Sequence, residues 1–430
     1  MSRSCVVIGA GPAGLAAAYR LSNAGLRVTV LEAANAIGGR TRTERVGDFT
    51  VNTGASFVAS FYDATLALLR ELRLDTSAPN PQLGVVATPF GKLELDLSSY
   101  GRILNFPLIS LSGKLRAAAM FARAGLRRGA HIANTAGLAR LDRNETVERW
   151  GKRTVGETAY HYLLRIGIEP FFYIGCEQIS AAFGKALVRH ALKWQLLVLP
   201  AGMGALCEAL AQRIEVRTGC QASGVDVRDG SVAVHHAGVT LEADYAIIAA
   251  PATAIERLEG GITDQDRTDA ASVRYAPSIA LFFGYERPIT VQYPLVTPAG
   301  PGRHAIARVR TWSALAPQYV PERKELLAIH ATSWRSAELL ERDPSKIVSE
   351  LRSDAEEVFG RLADPDWIRL YTRAEGTVIT PPGHYRRMAA FLRRPRKRLL
   401  YAGDWLTGST IEGAVRTGLS AAERILKAER

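Results

Sequence analysis

The first thirty-two residues constrain this chain more than any others. Ser4 to Ile8 is a short apolar run, followed by Gly9-Ala10-Gly11-Pro12-Ala13-Gly14. Leu15 to Ala24 reads as a helix closed by Gly25, and Arg27 to Leu31 reads as a second strand closed by Glu32. Strand, glycines, helix, strand and acid in this order make one β-α-β unit of about thirty residues. Each glycine has a physical task. Gly9 permits a tight turn, Gly11 lets the backbone approach a pyrophosphate, and Gly14 lets the helix pack closely on the strand. The helix N-terminus offers N–H groups and its positive dipole end to that phosphate. Glu32 stands where an acid accepts hydrogen bonds from a ribose, and its charge disfavours a 2′-phosphate. The unit reads as a dinucleotide site rather than a purely structural turn.

A similar pattern returns mid-chain. Gly202-Met203-Gly204 precedes an apolar-periodic helix through Ala211, and Val216–Val227 and Val232–Val239 alternate like a hairpin turning at Asp229-Gly230. Asp244 to Pro251 reads as a buried strand. Leu399 to Asp404 reads as another, and Glu412-Gly413-Ala414 opens a final helix to about Lys427. These regions, 1–62, 200–268 and 388–430, predict one Rossmann-type dinucleotide-binding domain split in sequence. Residues 63–199, mostly helical, and 269–387, with strand-like runs such as Ser278 to Phe283, predict an inserted α+β substrate domain. The expected fold class is α/β. Two domains also suit 430 residues at roughly 100–200 residues each.

With 47% hydrophobic and 22% charged residues, a large core is available without disulfides. The four cysteines, Cys5, Cys176, Cys207 and Cys220, show neither C-x-x-C nor zinc-ligand spacing, so reduced thiols and no metal are expected. The N-terminus lacks a signal-peptide apolar region, and no uncharged stretch approaches the ~20 residues that span a bilayer. A cytoplasmic protein is expected. The net charge of +12 concentrates in Arg393 to Arg398 and in Lys114 to Arg128, which holds five cations and no acid. Neither lies in a nucleic-acid-binding module, so no nucleic-acid partner is expected. Lys114 to Arg128 reads as an amphipathic helix with Leu115, Ala118, Ala119, Ala122 and Leu126 on one face. Its charge reads first as a solvated surface, and second as peripheral contact with an anionic membrane. Oligomeric state stays open.

The chain resembles the flavin amine oxidase superfamily, which includes monoamine oxidases, protoporphyrinogen oxidases, carotenoid desaturases and hydroxysqualene dehydroxylases. The resemblance runs from Val7 to Leu15, through Leu31-Glu32-Ala33 and Ile37-Gly38-Gly39-Arg40-Thr41-Arg42, to Asn52-Thr53-Gly54-Ala55-Ser56-Phe57. It closes with Tyr401-Ala402-Gly403-Asp404 and Ile411 to Gly418. It implies FAD, held non-covalently since no cysteine lies in the C-terminal region. By resemblance, Gly39, Arg40 and Thr41 follow the phosphates and flavin, with Arg40 a cation near the pyrophosphate. Gly54, Ala55 and Ser56 pass the isoalloxazine, where bulkier side chains would clash. Ala222 meets the adenine through its main chain. Asp404, beside Gly403, accepts from the ribityl or phosphate region. Glu412, Gly413 and Ala414 place a helix N-terminus near the flavin's pyrimidine end, where its dipole favours negative charge.

Departures from the family pattern narrow the chemistry. Amine oxidases carry a lysine on a strand near the flavin, and the equivalent strand here, Tyr275 to Gly284, has none and puts Ala280 there. Thr410, Ile411 and Ala374 stand where those enzymes place aromatic residues. Glu169 to Gly175, Ile179-Ser180-Ala181 and Asn144 to Glu148 resemble the desaturase and protoporphyrinogen oxidase branches, whose substrates are large and apolar. The expected function is an FAD-dependent oxidoreductase taking a hydride from a C–C or C–N bond of an apolar or secondary-metabolite small molecule. The alternatives are an amine oxidase releasing imine and peroxide, a flavin-binding protein without turnover, and an NAD-dependent dehydrogenase, which leaves the C-terminal motifs unused. Phe171, Phe172, Phe282 and Trp405 are the pocket candidates, each read first as a core-packing residue and second as part of the pocket. No catalytic acid–base residue is assigned. His384 reads as a turn residue, and His235 and His236 as surface or packing residues on a strand.

Overall fold

The computed structural model describes residues 3–78, 83–89, 91–96, 106–125, 131–191, 194–291 and 293–429. At its centre is a parallel sheet in the order Leu399–Tyr401, Tyr245–Ile248, Ser4–Ile8 (β1), Arg27–Leu31 (β2), Glu215–Arg217. Its strands read as continuous apolar runs because both faces are covered. Cys5, Val7 and Ile247 pack under the helix Pro12–Asn23 (α1) and the C-terminal helix Ile411–Ala428. Val6, Ile8, Ala246 and Ile248 face the opposite way, against Ile255, Met388, Phe391 and Trp405. This is a Rossmann-type α/β core assembled from chain segments far apart in sequence.

α1 starts three residues earlier than the sequence suggested. Gly11 is its N-cap and Pro12 occupies the first turn, where a missing N–H costs nothing. The C-terminal helix crosses α1 at glycine. A Cβ on Gly418 would lie 2.1 Å from the Ala13 carbonyl oxygen.

The expected single strand from Val216 to Val227 is two strands in different sheets. Glu215–Arg217 joins the parallel sheet, then Gly219 and Cys220 donate to the carbonyls of Ala34 and Glu32, redirecting the chain. Ala222–Val227 then pairs with Val232–His236 in a four-stranded sheet. Region 63–199 is also less helical than expected, since it contributes the strands Leu83–Thr88 and Gly91–Asp96 to the second large sheet.

That second sheet runs Trp367–Ile379, Arg274–Tyr285, Glu325–Ala331, Ile306–Thr311, Leu295–Pro298, Leu83–Thr88, Gly91–Asp96. The helix Pro344–Phe359 covers one face through Ile347, Leu351 and Ala355, against Ile279, Leu281 and Phe283. The other face packs Phe282 and Ala328 against Phe49, Trp312 and Tyr319. Helices Leu111–Gly125, Val147–Val155 and Ala181–His190 pack together beside it.

The basic segment Lys114 to Arg128 begins in the helix Leu111–Gly125, while Leu126, Arg127 and Arg128 lie outside the described residues. Gly113, Ala117, Met120 and Ala124 are its buried side. The face bearing Leu115, Ala118, Ala119 and Ala122 is exposed to solvent. The other basic run is partly neutralised internally. Arg394 pairs with Asp266 at 2.7 Å and with Asp269, and Arg396 pairs with Asp266. Among the described residues no helix is long and apolar enough to cross a membrane. All four cysteines are free thiols, three of them buried.

Candidate active site

A cavity of about 780 Å³ runs from the carboxyl ends of β1 and β2 to the second sheet. In open parallel sheets, ligands settle at that edge, where the strand order reverses around the first strand. Gly9 takes φ +107°, a conformation that favours glycine. Gly11, Pro12 and Ala13 present the first turn of α1 to the cavity, where N–H groups lack helical acceptors. A Cβ added to Gly11 meets no atom within 4 Å, so this position looks onto open space. A Cβ on Gly14 would instead lie 1.9 Å from the Gly9 carbonyl oxygen. Gly14 does not border the cavity, and its role is close packing.

Glu32 and Ala33 border the same end. The Glu32 carboxylate accepts from the Ala10 N–H at 2.7 Å and the Ala34 N–H at 2.9 Å, which fixes its orientation. Cys220 and Ala222 lie nearby. Gly39, Arg40 and Thr41 form a short 3-10 turn at the middle of the cavity. Arg40 pairs with Asp404 at 2.7 Å and lies 5.7 Å from the Tyr275 ring centroid. Burial opposes the Arg40 charge, but Asp404 and then Tyr275 outweigh it, holding the guanidinium above its ordinary pKa. Its Nη1 is buried without a partner. That cation, the open approach at Gly11 and the anchored acid Glu32 fit the pyrophosphate and ribose of a dinucleotide.

Gly54, Ala55, Ser56, Gly403, Asp404 and Ala414 also line the cavity, joined by Thr410 and Ile411 at the C-terminal helix start. Gly54 has an explanation within the protein. A Cβ there would lie 2.2 Å from the Arg40 carbonyl oxygen. Glu412 and Gly413 stand outside the lining. The Glu412 carboxylate caps the helix Asp63–Glu71, accepting from the N–H groups of Ala64 and Thr65, and it pairs with Arg416. Gly413 is a packing glycine whose Cβ would lie 2.0 Å from the Thr407 hydroxyl.

Of the four pocket candidates, Phe171 and Phe172 border the cavity. Phe282 and Trp405 do not, which corrects their candidacy for the pocket and leaves them the core-packing reading. Phe282 follows Ala280 on the same strand, but two residues on the cavity has ended and Phe49 and Trp312 fill the space. Trp405 turns away from Asp404 into the core, edge-on to Phe391 at 5.3 Å. Ala280 and Ala374 are both cavity residues. His384 opens the helix His384–Arg393 and is buried away from the cavity, with its pKa pushed down to about 4 by that burial. His235 pairs with Asp226 at 2.9 Å, and His236 is buried.

Sequence reasoning missed Tyr173, His330 and Arg373, all cavity residues. Tyr173 and His330 stack at 5.2 Å, nearly parallel. Burial, then Arg308 and Arg310, hold the His330 pKa well below its ordinary value, so its ring is neutral. Arg373 donates to the Thr53 hydroxyl at 2.9 Å, and burial, then Arg42 and Arg40, lower its pKa. Tyr173 carried one available signal, its place beside Phe171-Phe172. A histidine within the apolar run Glu325 to Ala331 carried none.

A glycine-lined cavity at the edge of a Rossmann-type sheet, opening onto a wall built by a second sheet, fits the class of a dinucleotide-dependent oxidoreductase. The flavin-containing amine oxidoreductase family model matches residues 12–426, and the chain belongs to that family of flavin-dependent oxidoreductases. Over 109 residues it is 39% identical to lysine-specific histone demethylase 2 of Homo sapiens, covering 25% of this chain and 12% of that protein. Over 76 residues it is 43% identical to putrescine oxidase of Kocuria rosea, covering 18% of this chain and 16% of that protein. The chain thus matches these relatives over a small part of their length. A crystal structure from Exiguobacterium sp. 255-15, provisionally named a protoporphyrinogen oxidase, shares the fold with a TM-score of 0.79 at 16% identity, over 100% of both chains.

Proposed function

We propose that this protein uses non-covalent FAD to take a hydride from a C–C or C–N bond of a largely apolar small molecule. One observation carries the reading. A single cavity joins the Gly11–Glu32–Arg40 end to a wall of Ile279, Ala280, Phe171 and Phe172. FAD supplies the two-electron acceptor, and the protein supplies position and electrostatics. The start of α1 and Arg40 would hold the pyrophosphate, Glu32 and Ala222 the adenosine half, and Ala55, Ser56 and Ala414 the ring.

The wall favours dehydrogenation over amine oxidation. Ala280 and Ala374 offer no lysine and no aromatic pair to the reacting centre. A protonated amine would also meet Arg373 on one side and the field of Arg308 and Arg310 on the other. The family likeness supports the amine oxidase alternative.

The purified protein is expected to be yellow, and anaerobic addition of apolar alkene precursors is expected to bleach it. Bleaching by primary amines with stoichiometric peroxide in air would select the amine oxidase instead. A flavin that no candidate reduces would leave a non-redox binding protein. The exposed side of Leu111–Gly125, with Leu111 and Leu115 at 73% and 63% exposure beside Lys114, Arg116 and Arg123, supports peripheral contact with anionic lipid. Co-sedimentation with phosphatidylserine vesicles, lost on Leu115→Glu, tests that contact.

A further inference from the structure

The strand Ile306–Thr311 carries a bulge between Ile306 and Arg308. Bulges re-aim the side chains that follow them. Ile306 and Val309 consequently both pack beneath the helix Pro344–Phe359. Arg308 and Arg310 turn to the opposite face, toward the cavity wall. Both are buried, at 3% and 5% exposure. Arg308 Nη2 donates to the Ser56 hydroxyl at 3.2 Å and to the Tyr173 hydroxyl. Ser56, Tyr173 and His330 all border the cavity, so the guanidinium sits directly behind its lining. Arg310 lies over the Trp312 ring at 3.9 Å.

Neither cation has an anionic partner among the described residues. Arg308 Nε, and Nε and Nη2 of Arg310, are buried without hydrogen-bond partners. The groups acting on His330 and Arg310 include no carboxylate, only the two arginines themselves and the phenols of Tyr173 and Tyr319. Burial of an unpaired ion is costly, and a protein retains it where something else gains. Burial, then Arg308, push the Arg310 pKa well below its ordinary value, and a strongly perturbed charge beside a cleft marks a functional site.

We propose that the Ser56–Tyr173–His330 end of the cavity binds a carboxylate on the substrate, so that the compound oxidised is an apolar acid. This rests on the reading that the flavin fills the Arg40 end. Arg308 and Arg310 supply positive charge from behind the lining, and the Ser56 and Tyr173 hydroxyls, which accept from Arg308, turn their own O–H groups to the carboxylate. The neutral His330 ring offers an N–H without competing for the proton.

Calorimetric titration of the protein as purified, with decanoate, decanamide and decylamine as probes, tests the assignment. Decanoate is expected to bind about 10- to 100-fold more tightly than decanamide, the range of a charge-assisted hydrogen bond, with decylamine weakest. Arg308→Met is expected to erase that preference while decanamide affinity stays within about twofold. Arg308→Lys is expected to keep part of it. Arg310→Met, one step from the lining, is expected to reduce it less. Relief of unpaired charge is also expected to raise the ligand-free melting temperature of the methionine variants. Equal affinity for decanoate and decanamide in the unmutated protein would overturn the proposal, as would a preference that survives both methionine variants. Because calorimetry needs no colour, a yellow protein indifferent to carboxylate refutes only the anion site. A colourless protein that refuses FAD refutes the flavin reading instead.

Discussion

Gly11 and Gly14 stand three residues apart and tolerate enlargement differently. Space around a Gly11 Cβ is open, while a Gly14 Cβ would strike the Gly9 carbonyl oxygen at 1.9 Å. Gly11→Leu is therefore expected to melt within a few degrees of the unmutated protein yet to carry no flavin, read as lost absorbance near the visible flavin band. Gly14→Leu is expected to lose at least the 1–3 kcal/mol typical of overpacking, and flavin with it. Arg40 makes a second contrast. Its Nη2 is held by Asp404, whereas Nη1 is buried without a partner. Arg40→Met is expected to raise the FAD dissociation constant roughly 10- to 100-fold, since charged hydrogen bonds contribute about 1.5–3 kcal/mol. Reconstitution of apoprotein followed by flavin fluorescence measures it. Gly11 and Gly14 were legible in the sequence because backbone approach to a diphosphate demands glycine at fixed spacing, and Arg40 was legible through the family resemblance. Arg308 was not, because strict alternation along Ile306 to Thr311 puts it on the same face as Ile306, and only the bulge separates them.

Elements here are fastened by polar side chains placed far away in sequence. Asp142 is buried, and its carboxylate accepts from the N–H groups of Gly383, Tyr385 and Arg386 and from the Ser180 hydroxyl. It thereby anchors the start of the helix His384–Arg393 to the helical region around Ala181. Asp142→Ala strands those donors at about 1–3 kcal/mol for each one left unsatisfied. A loss of roughly 3 kcal/mol or more in urea denaturation is expected, whereas Asp142→Asn keeps part of the network. Sequence periodicity located the helices and strands of the parallel core to within a few residues, because their apolar faces repeat cleanly. It failed where one run of alternating residues serves two sheets, as from Val216 to Val227, and where a core aromatic such as Phe282 lies just past the end of a cavity. Which face of a strand ends at a void depends on other elements, in this case on Trp312 and on Phe49 from the far N-terminal part of the chain.

Across the whole molecule, buried neutral histidines set the response to acid. Burial is the first cause that lowers the pKa of His161, His304, His330 and His384, the last to about 4. An unfolded histidine titrates near 6.5. Above that value both states are neutral and stability is full. As pH falls from about 6.5 toward 4, the unfolded chain takes up protons that the folded chain refuses, so stability falls with pH. For His384 the interval amounts to roughly 3 kcal/mol by pH 4. Carboxylates with lowered pKa, Asp266 and Asp244 among them, act in the same direction but only below about 4. The window between pH 5 and 6.5 therefore belongs to the histidines, opposed by the buried Glu169, whose pKa burial raises. Melting temperature is expected to fall steadily across it. In His384→Phe the slope is expected to shrink by up to about 1.4 kcal/mol per pH unit, measured by denaturant unfolding at pH 5.0, 5.5, 6.0 and 7.0. An unchanged slope would mean that His384 takes up its proton in the folded protein too. The same measurement on Arg308→Met separates the cavity from the core, because removing that cation should ease protonation of His330 and flatten the curve independently of His384.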